Sequence, residues 1–301
     1  MLGAIYDRFK EQQMAKNKSL VHQVKEVLYS KLRIGESKHL AKQSKEFSSG
    51  IYSWGTYRNY LAKSCAFVKW TKEQHSCKTL EESREYVDKY LQSRIDLEYS
   101  PYTQKHIACA LAKLYGCSTT DFIKTQTRHR RDITRSRMGK AKFSESKNQE
   151  FVDFCRATGL RRHEIKYLKP EHLRYDEYTG RYMLVNIKGK GGRLRDCPIL
   201  STKAVERIQN TPASQNVWNK IPSRADIHSY RADYCKAIYN FHARPISEMP
   251  LHDRYYCRSD RKGVVYDRQA MRIASMALGH NRISVIAGHY LYKRDANNEQ
   301  L

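Results

Sequence analysis

No apolar run in the chain approaches the roughly 18 residues that a membrane-spanning helix needs. The opening "MLGAIYDRFKEQQMAKNKS" has no apolar core of the kind a signal peptide carries. Neither a membrane span nor a leader is therefore expected. The eight cysteines, Cys65, Cys77, Cys109, Cys117, Cys155, Cys197, Cys235 and Cys257, include no CxxC pair. They read as reduced thiols in a cytoplasmic protein, not as a disulfide framework or a structural zinc site. Internal repeats are also missing, which excludes a solenoid. Acidic residues are scarce: 31 Asp and Glu stand against 56 Lys and Arg, a formal net charge of +25. Yet 40% of the chain is hydrophobic, enough to bury a core, so a disordered basic tail is excluded. What remains is a folded protein whose partner is a polyanion, nucleic acid first and an anionic membrane surface second.

The 301 residues suffice for two domains. The first half has helical periodicity in "SLVHQVKEVLYSKL", in "GTYRNYLAKSCAFVKWTKEQ", in "LEESREYVDKYLQSRIDL" with its acidic first turn, and in "SPYTQKHIACALAKLYG". In the last, Ser100 is an N-cap, Pro101 opens the helix and Gly116 stops it. The stretch "KTQTRHRRDITRSRMGKAKFSESKNQE" has almost no large apolar residues before Phe143 and reads as a linker or arm, with a boundary near 130–145. Beyond it, "NQEFVDFCRATGL" is helical, and then the period changes. "RYMLVNIKGKGGRLRDCPIL" alternates through Met183, Val185 and Ile187, turns at "GKGG" and returns, which predicts a β-hairpin within a small antiparallel sheet of about three strands. Helical patterns resume in "DIHSYRADYCKAIYNFHA" and "DRQAMRIASMALGH", with an irregular Pro- and Arg-rich stretch between them.

Four short segments of the second half carry chemistry in combination: "TGLRRHEI", "IKGKGGRLRDCPI", "HSYR" and "LGHNRISVIAGHYL". Together they hold the parts of a metal-free phosphoryl transfer, a reaction governed by positioning and by stabilising charge on the non-bridging oxygens. Arg161 and Arg231 suit that task, because a guanidinium stays charged and offers a planar fork to phosphate. His228, three residues before Arg231, shares its helix face, and His280 adds a donor. Lys190, at the hairpin tip, is placed to protonate the leaving 5′ oxygen. A tyrosine suits the nucleophile, since a phenolate is a fair leaving group when a DNA hydroxyl attacks in return.

In these motifs the chain resembles the tyrosine recombinases, the phage-integrase type of site-specific recombinase. The resemblance rests on Thr158-Gly159-Leu160-Arg161 with Glu164, on Gly189-Lys190-Gly191, on His228 and Arg231, on Leu278-Gly279-His280, and on the tyrosine that follows. It spans 158–292; the helical first half matches that family's DNA-binding domain in size and pattern only. It implies a mainly α fold with a small antiparallel β-sheet: a helical, SAM-like core-binding domain over 1–135 and a catalytic domain over 136–301. It implies cleavage and rejoining of DNA through a 3′-phosphotyrosyl intermediate, with catalytic Arg161, Lys190, His228, Arg231, His280 and Tyr290, and no nucleotide cofactor or metal. Implied partners are double-stranded DNA with specific recombination sites, three further copies of the chain in a tetramer on two duplexes exchanging strands through a Holliday junction, and accessory DNA-bending or directionality proteins. A nucleoid-associated enzyme of a mobile genetic element is the corresponding setting.

The spacing departs from the family in places. Tyr290 stands ten residues after His280 where nine is commoner, so Tyr292 is kept as the alternative nucleophile, and His289 reads as an incidental neighbour. Ala232 replaces the family's common histidine. "FHARPISEMPLHDRYYCRSDRKGVVYDR" reads as an insertion, and eleven residues after Tyr290 make a short tail for docking on a neighbouring protomer. Arg162 is the alternative to Arg161. Arg193 and Arg195 are expected to contact the DNA backbone, and Glu164 to hold an arginine from behind. Two other classes stay open: a type IB topoisomerase, which reseals the same strand, and a catalytically silent DNA-binding module.

Overall fold

Leu20, Val24 and Leu28 recur every fourth residue and all three are buried in helix α1 (Leu20–Ser30), the outcome expected of an amphipathic stripe. The computed structural model describes residues 18–43, 50–129, 143–189, 192–258, 261–280 and 282–291, positions 39 and 42 through their backbone alone. The chain divides into two compact units, Met1–Ile133 and Thr134–Leu301.

The first unit is helical throughout its named elements. After α1 come α2 (Lys38–Gln43), α3 (Trp54–His75), α4 (Leu80–Arg84), α5 (Val87–Asp96) and α6 (Pro101–Tyr115). Serines cap three of them: Ser19, Ser53 and Ser100 accept the amides of His22, Thr56 and Thr103. Gly116 ends α6 in the left-handed region at φ +69°. Phe67 of α3, Leu91 of α5 and Leu111 of α6 close over Val24 and Leu28 in one core. The helix expected over 80–97 is two helices. At the break the backbone tightens to a bond from Tyr86 N to Ser83 O, and the Tyr86 ring stacks on His75 with 3.8 Å between centroids. Most of the predicted arm, residues 130–142, lies outside the described residues.

In the second unit α7 (Gln149–Thr158) ends on Gly159, and α8 (Arg162–Lys166) follows after one turn. Strands β1 (Leu173–Asp176), β2 (Arg181–Lys188) and β3 (Leu194–Pro198) form the expected antiparallel sheet in the order β1-β2-β3. The inward positions differ from strict alternation. A bulge between Leu184 and Ile187, with Asn186 at φ +58°, shifts the phase, so Leu184 and Ile187 are buried while Met183 and Val185 are only half-buried. Helices α9 (Thr202–Gln209) and α10 (Ile227–His242) follow. The stretch read as irregular then pairs with itself, as β4 (Arg254–Tyr256) with β5 (Val265–Asp267). Three residues per strand are too few to show a period of two in sequence. The last elements are α11 (Arg268–Ala277), α12 (Ile283–Val285) and a π-helical turn, Ile286–Tyr290. Helix α10 packs between α7 and α11, which buries one face of it from Ile227 to Ile238.

Candidate active site

Arg231 lies on the buried face of α10, in its N-terminal half, and is 2% exposed. A buried guanidinium must spend its N–H groups on acceptors. It donates to the carbonyls of Gly159 and Leu278, and its Nε lies 3.3 Å from Tyr290 Oη. Both carbonyls belong to the "TGL" and "LGH" segments, so one side chain ties three sequence-distant motifs together. Glycine is required at 159: with φ +58°, an added Cβ would fall 2.2 Å from the Tyr234 ring.

Glu164 of α8 is the counterweight. Its carboxylate accepts Arg161 N and Arg161 Nη1, each at 2.7 Å, and Arg195 Nη2 at 2.7 Å. Burial opposes ionisation of Glu164, but Arg195 and the Arg161 hydrogen bonds outweigh it and hold the carboxyl below the usual range. Arg161 Nη2 also reaches Leu278 O at 3.3 Å. Three guanidiniums thus converge on one carboxylate and two carbonyl oxygens. The remaining positive charge faces an open hollow of about 410 Å³ whose wall includes Arg161, His228, Arg231 and Tyr290.

Tyr290 lines this hollow, and its Oη lies 3.0 Å from His280 Nε2 and 3.3 Å from Arg231 Nε. The His228 ring meets the Tyr290 ring edge-on at 5.5 Å between centroids. Burial first, then Arg231, Arg161, Arg195 and His289, push the His280 imidazole down to about 4. His280 is therefore neutral at pH 7. A depressed folded-state value against about 6.5 in an unfolded chain fixes the sign: stability is complete above pH 6.5 and is lost as the pH falls toward 4, because only the unfolded state takes the proton. Urea unfolding at pH 7.5 and pH 5 should show a smaller acid loss in His280→Gln than in the unaltered chain.

The sequence-predicted residues are distributed as follows. Arg161, Glu164, His228, Arg231, His280 and Tyr290 come together. Lys190 and the alternative Tyr292 lie outside the described residues; Gly189, just before Lys190, sits beside Arg161 and Glu164, where an added Cβ would be 3.5 and 3.6 Å from their polar atoms. Arg162 spends its guanidinium on the carbonyls of Pro222, Ser223 and Ala225, fastening the loop ahead of α10. Arg193 is exposed on the hairpin. Arg195 departs from its expected place on the DNA backbone: it is buried, paired with Glu164, and its stem fills the space beside Gly279, where an added Cβ would lie 2.5 Å from Arg195 Cδ. The period of β3 carried that signal, since Arg195 alternates with exposed Leu194 and Asp196 in phase with buried Cys197.

A mainly helical chain with this sheet and this closing turn has the tyrosine-recombinase fold. Its fold is similar to that of the XerH site-specific recombinase bound to difH substrate in a pre-cleavage complex. It is 12% identical, with 92% of this chain and 94% of that one covered at a TM-score of 0.50. The Tn1549 transposon integrase in complex with transposon right-end DNA also matches, at 10% identity over 85% and 95% of the two chains with a TM-score of 0.41. No protein-family model and no curated protein matches the sequence. Among the described residues, no helix is long and apolar enough to cross a membrane.

Proposed function

We propose that the chain is a site-specific DNA recombinase of the tyrosine type, with Tyr290 as nucleophile. The observation that carries this reading is the placement of one tyrosine oxygen, 3.0 Å from a neutral histidine and 3.3 Å from a buried arginine, at an arginine-lined hollow. A phosphodiester seated there would have its non-bridging oxygens neutralised by Arg161 and Arg231, with His228 as a further donor. Arg195 acts through Glu164, holding Arg161 in place.

In this scheme Tyr290 Oη attacks phosphorus and gives up its proton, for which His280 Nε2 is the nearest acceptor. The phosphate's negative charge raises the proton affinity of that imidazole. The bond to the 5′ oxygen breaks, and Lys190 supplies the proton that oxygen needs. The products are a 3′-phosphotyrosyl chain and a free 5′ hydroxyl, and attack by a partner strand's hydroxyl reverses the step. Four copies on two duplexes would exchange strands through a Holliday junction, and the net charge of +25 supplies the attraction to DNA.

The test is a suicide duplex spanning the ends of the chain's own DNA element, nicked next to the cleavage point so that the freed fragment diffuses away. A covalent protein–DNA band on a denaturing gel is expected, persisting in excess EDTA because the guanidiniums provide the positive charge. Peptide mapping should place the nucleotide on Tyr290. DNA that is bound but never attached would favour a silent binding module. An adduct that reseals only its own strand in a two-site assay would favour a topoisomerase.

A further inference from the structure

None of the described residues of the stretch 241–268 lines the hollow, yet the stretch reaches the segment that carries Tyr290. Tyr266 of β5 donates its Oη to Leu291 O at 3.1 Å, and Arg261 Nη2 donates to that same Oη at 2.7 Å. Arg261 Nη1 extends to Ala287 O at 3.5 Å. Carbonyls at the end of a helix have no partner within it, so these two side chains complete the π turn from outside. Leu291 is the residue next to Tyr290, which leaves little slack between the bond and the phenol.

The hairpin is itself anchored. Arg244 pairs with Asp253 and Asp267 at 2.9 and 2.8 Å, and Asp267 also caps α11 through the amides of Gln269 and Ala270. Tyr239 accepts Asp267 N at 3.0 Å and packs edge-on against Tyr266, 5.6 Å between centroids. A continuous set of contacts therefore runs from the end of α10 through β5 to the backbone beside Tyr290. π turns are rare and concentrate at functional sites, and one built around a reacting residue needs support to hold an atom within the fraction of an ångström that attack demands.

We propose that the β4–β5 hairpin is a clasp for the tyrosine segment, and that Tyr266 is a positioning residue which keeps Tyr290 docked on Arg231 and His280 of its own chain. The effect on reaction rests on the reading of Tyr290 as nucleophile; the clasp does not. Tyr266→Phe tests both, because it keeps the ring against Tyr239 and removes only the hydroxyl. Hydrogen exchange without DNA should quicken about fivefold at the amides of 286–291, the order expected for one hydrogen bond, with exchange in α7 and α10 unchanged. On suicide DNA the adduct rate at saturating DNA should fall by about the same factor while DNA affinity holds. Arg261→Gln should move both readouts the same way by less.

Unchanged exchange at 286–291 overturns the clasp. Faster exchange with an undiminished adduct rate overturns the positioning role. An unaltered chain that forms no adduct overturns the recombinase reading and the positioning role together, and the exchange result still decides the clasp.

Discussion

Tyr290→Phe is expected to form no covalent band with suicide DNA while folding and binding DNA almost as the unaltered chain does. The substitution removes one oxygen from a residue that is 4% exposed, and the ring keeps its packing against His228 and His280. Arg231 loses a long bond at Nε but keeps the Gly159 and Leu278 carbonyls, so its charge stays satisfied. His280 Nε2 loses its partner as well, and each lost hydrogen bond in such a setting costs about 0.5–1.5 kcal/mol. On the proposed reading the chemical loss is total by comparison, because the Tyr290 hydroxyl is the group that bonds to phosphorus. Tyr292→Phe should leave the band in place. A band that disappears in Tyr292→Phe and survives in Tyr290→Phe would move the nucleophile two residues along.

Glu164→Ala should carry the largest stability cost. The Glu164 side chain is wholly buried, and the Arg195 side chain beside it is 5% exposed. Removing the carboxylate leaves the Arg195 charge in the core and strips Arg161 of its backbone and side-chain acceptor. Breaking a buried pair from one side costs about 3–5 kcal/mol. Glu164→Gln keeps the shape and one acceptor oxygen, so it should cost less than Glu164→Ala, with both variants slow to form adduct because Arg161 is no longer held. Urea unfolding monitored by circular dichroism measures the first effect, and the suicide-DNA gel the second. A Glu164→Ala chain as stable as the original would mean the two guanidiniums find water or other acceptors in its place.

Much of this is legible in the sequence. Apolar spacing located α1, α3, α6, α7, α10 and α11, since a residue's place on a helix face follows from its number in the chain. The six residues that come together, four of them lining the hollow, were named from the motifs and the family resemblance. Three features were not legible. The Leu184–Ile187 bulge depends on one left-handed residue, Asn186, which no periodicity announces. The β4–β5 pairing involves strands too short to alternate. Arg195 reads as a surface cation because its type dominates its position: only the alternation with Cys197, and the proximity of Glu164 from another element, reveal it as an internal strut.

The sequence by itself determined the helical and hairpin elements, the excess of positive charge and the candidates for the reacting groups, because these depend on residue type and near spacing. Tertiary structure alone decided which arginines face the hollow and which support it, that His280 is neutral, and that a hairpin from the 241–268 stretch holds the tyrosine turn. Each of these depends on desolvation or on a hydrogen bond between residues far apart in the chain, such as Arg231 with Leu278 or Tyr266 with Leu291. A guanidinium's worth is set by what surrounds it, and linear spacing carries no record of those surroundings.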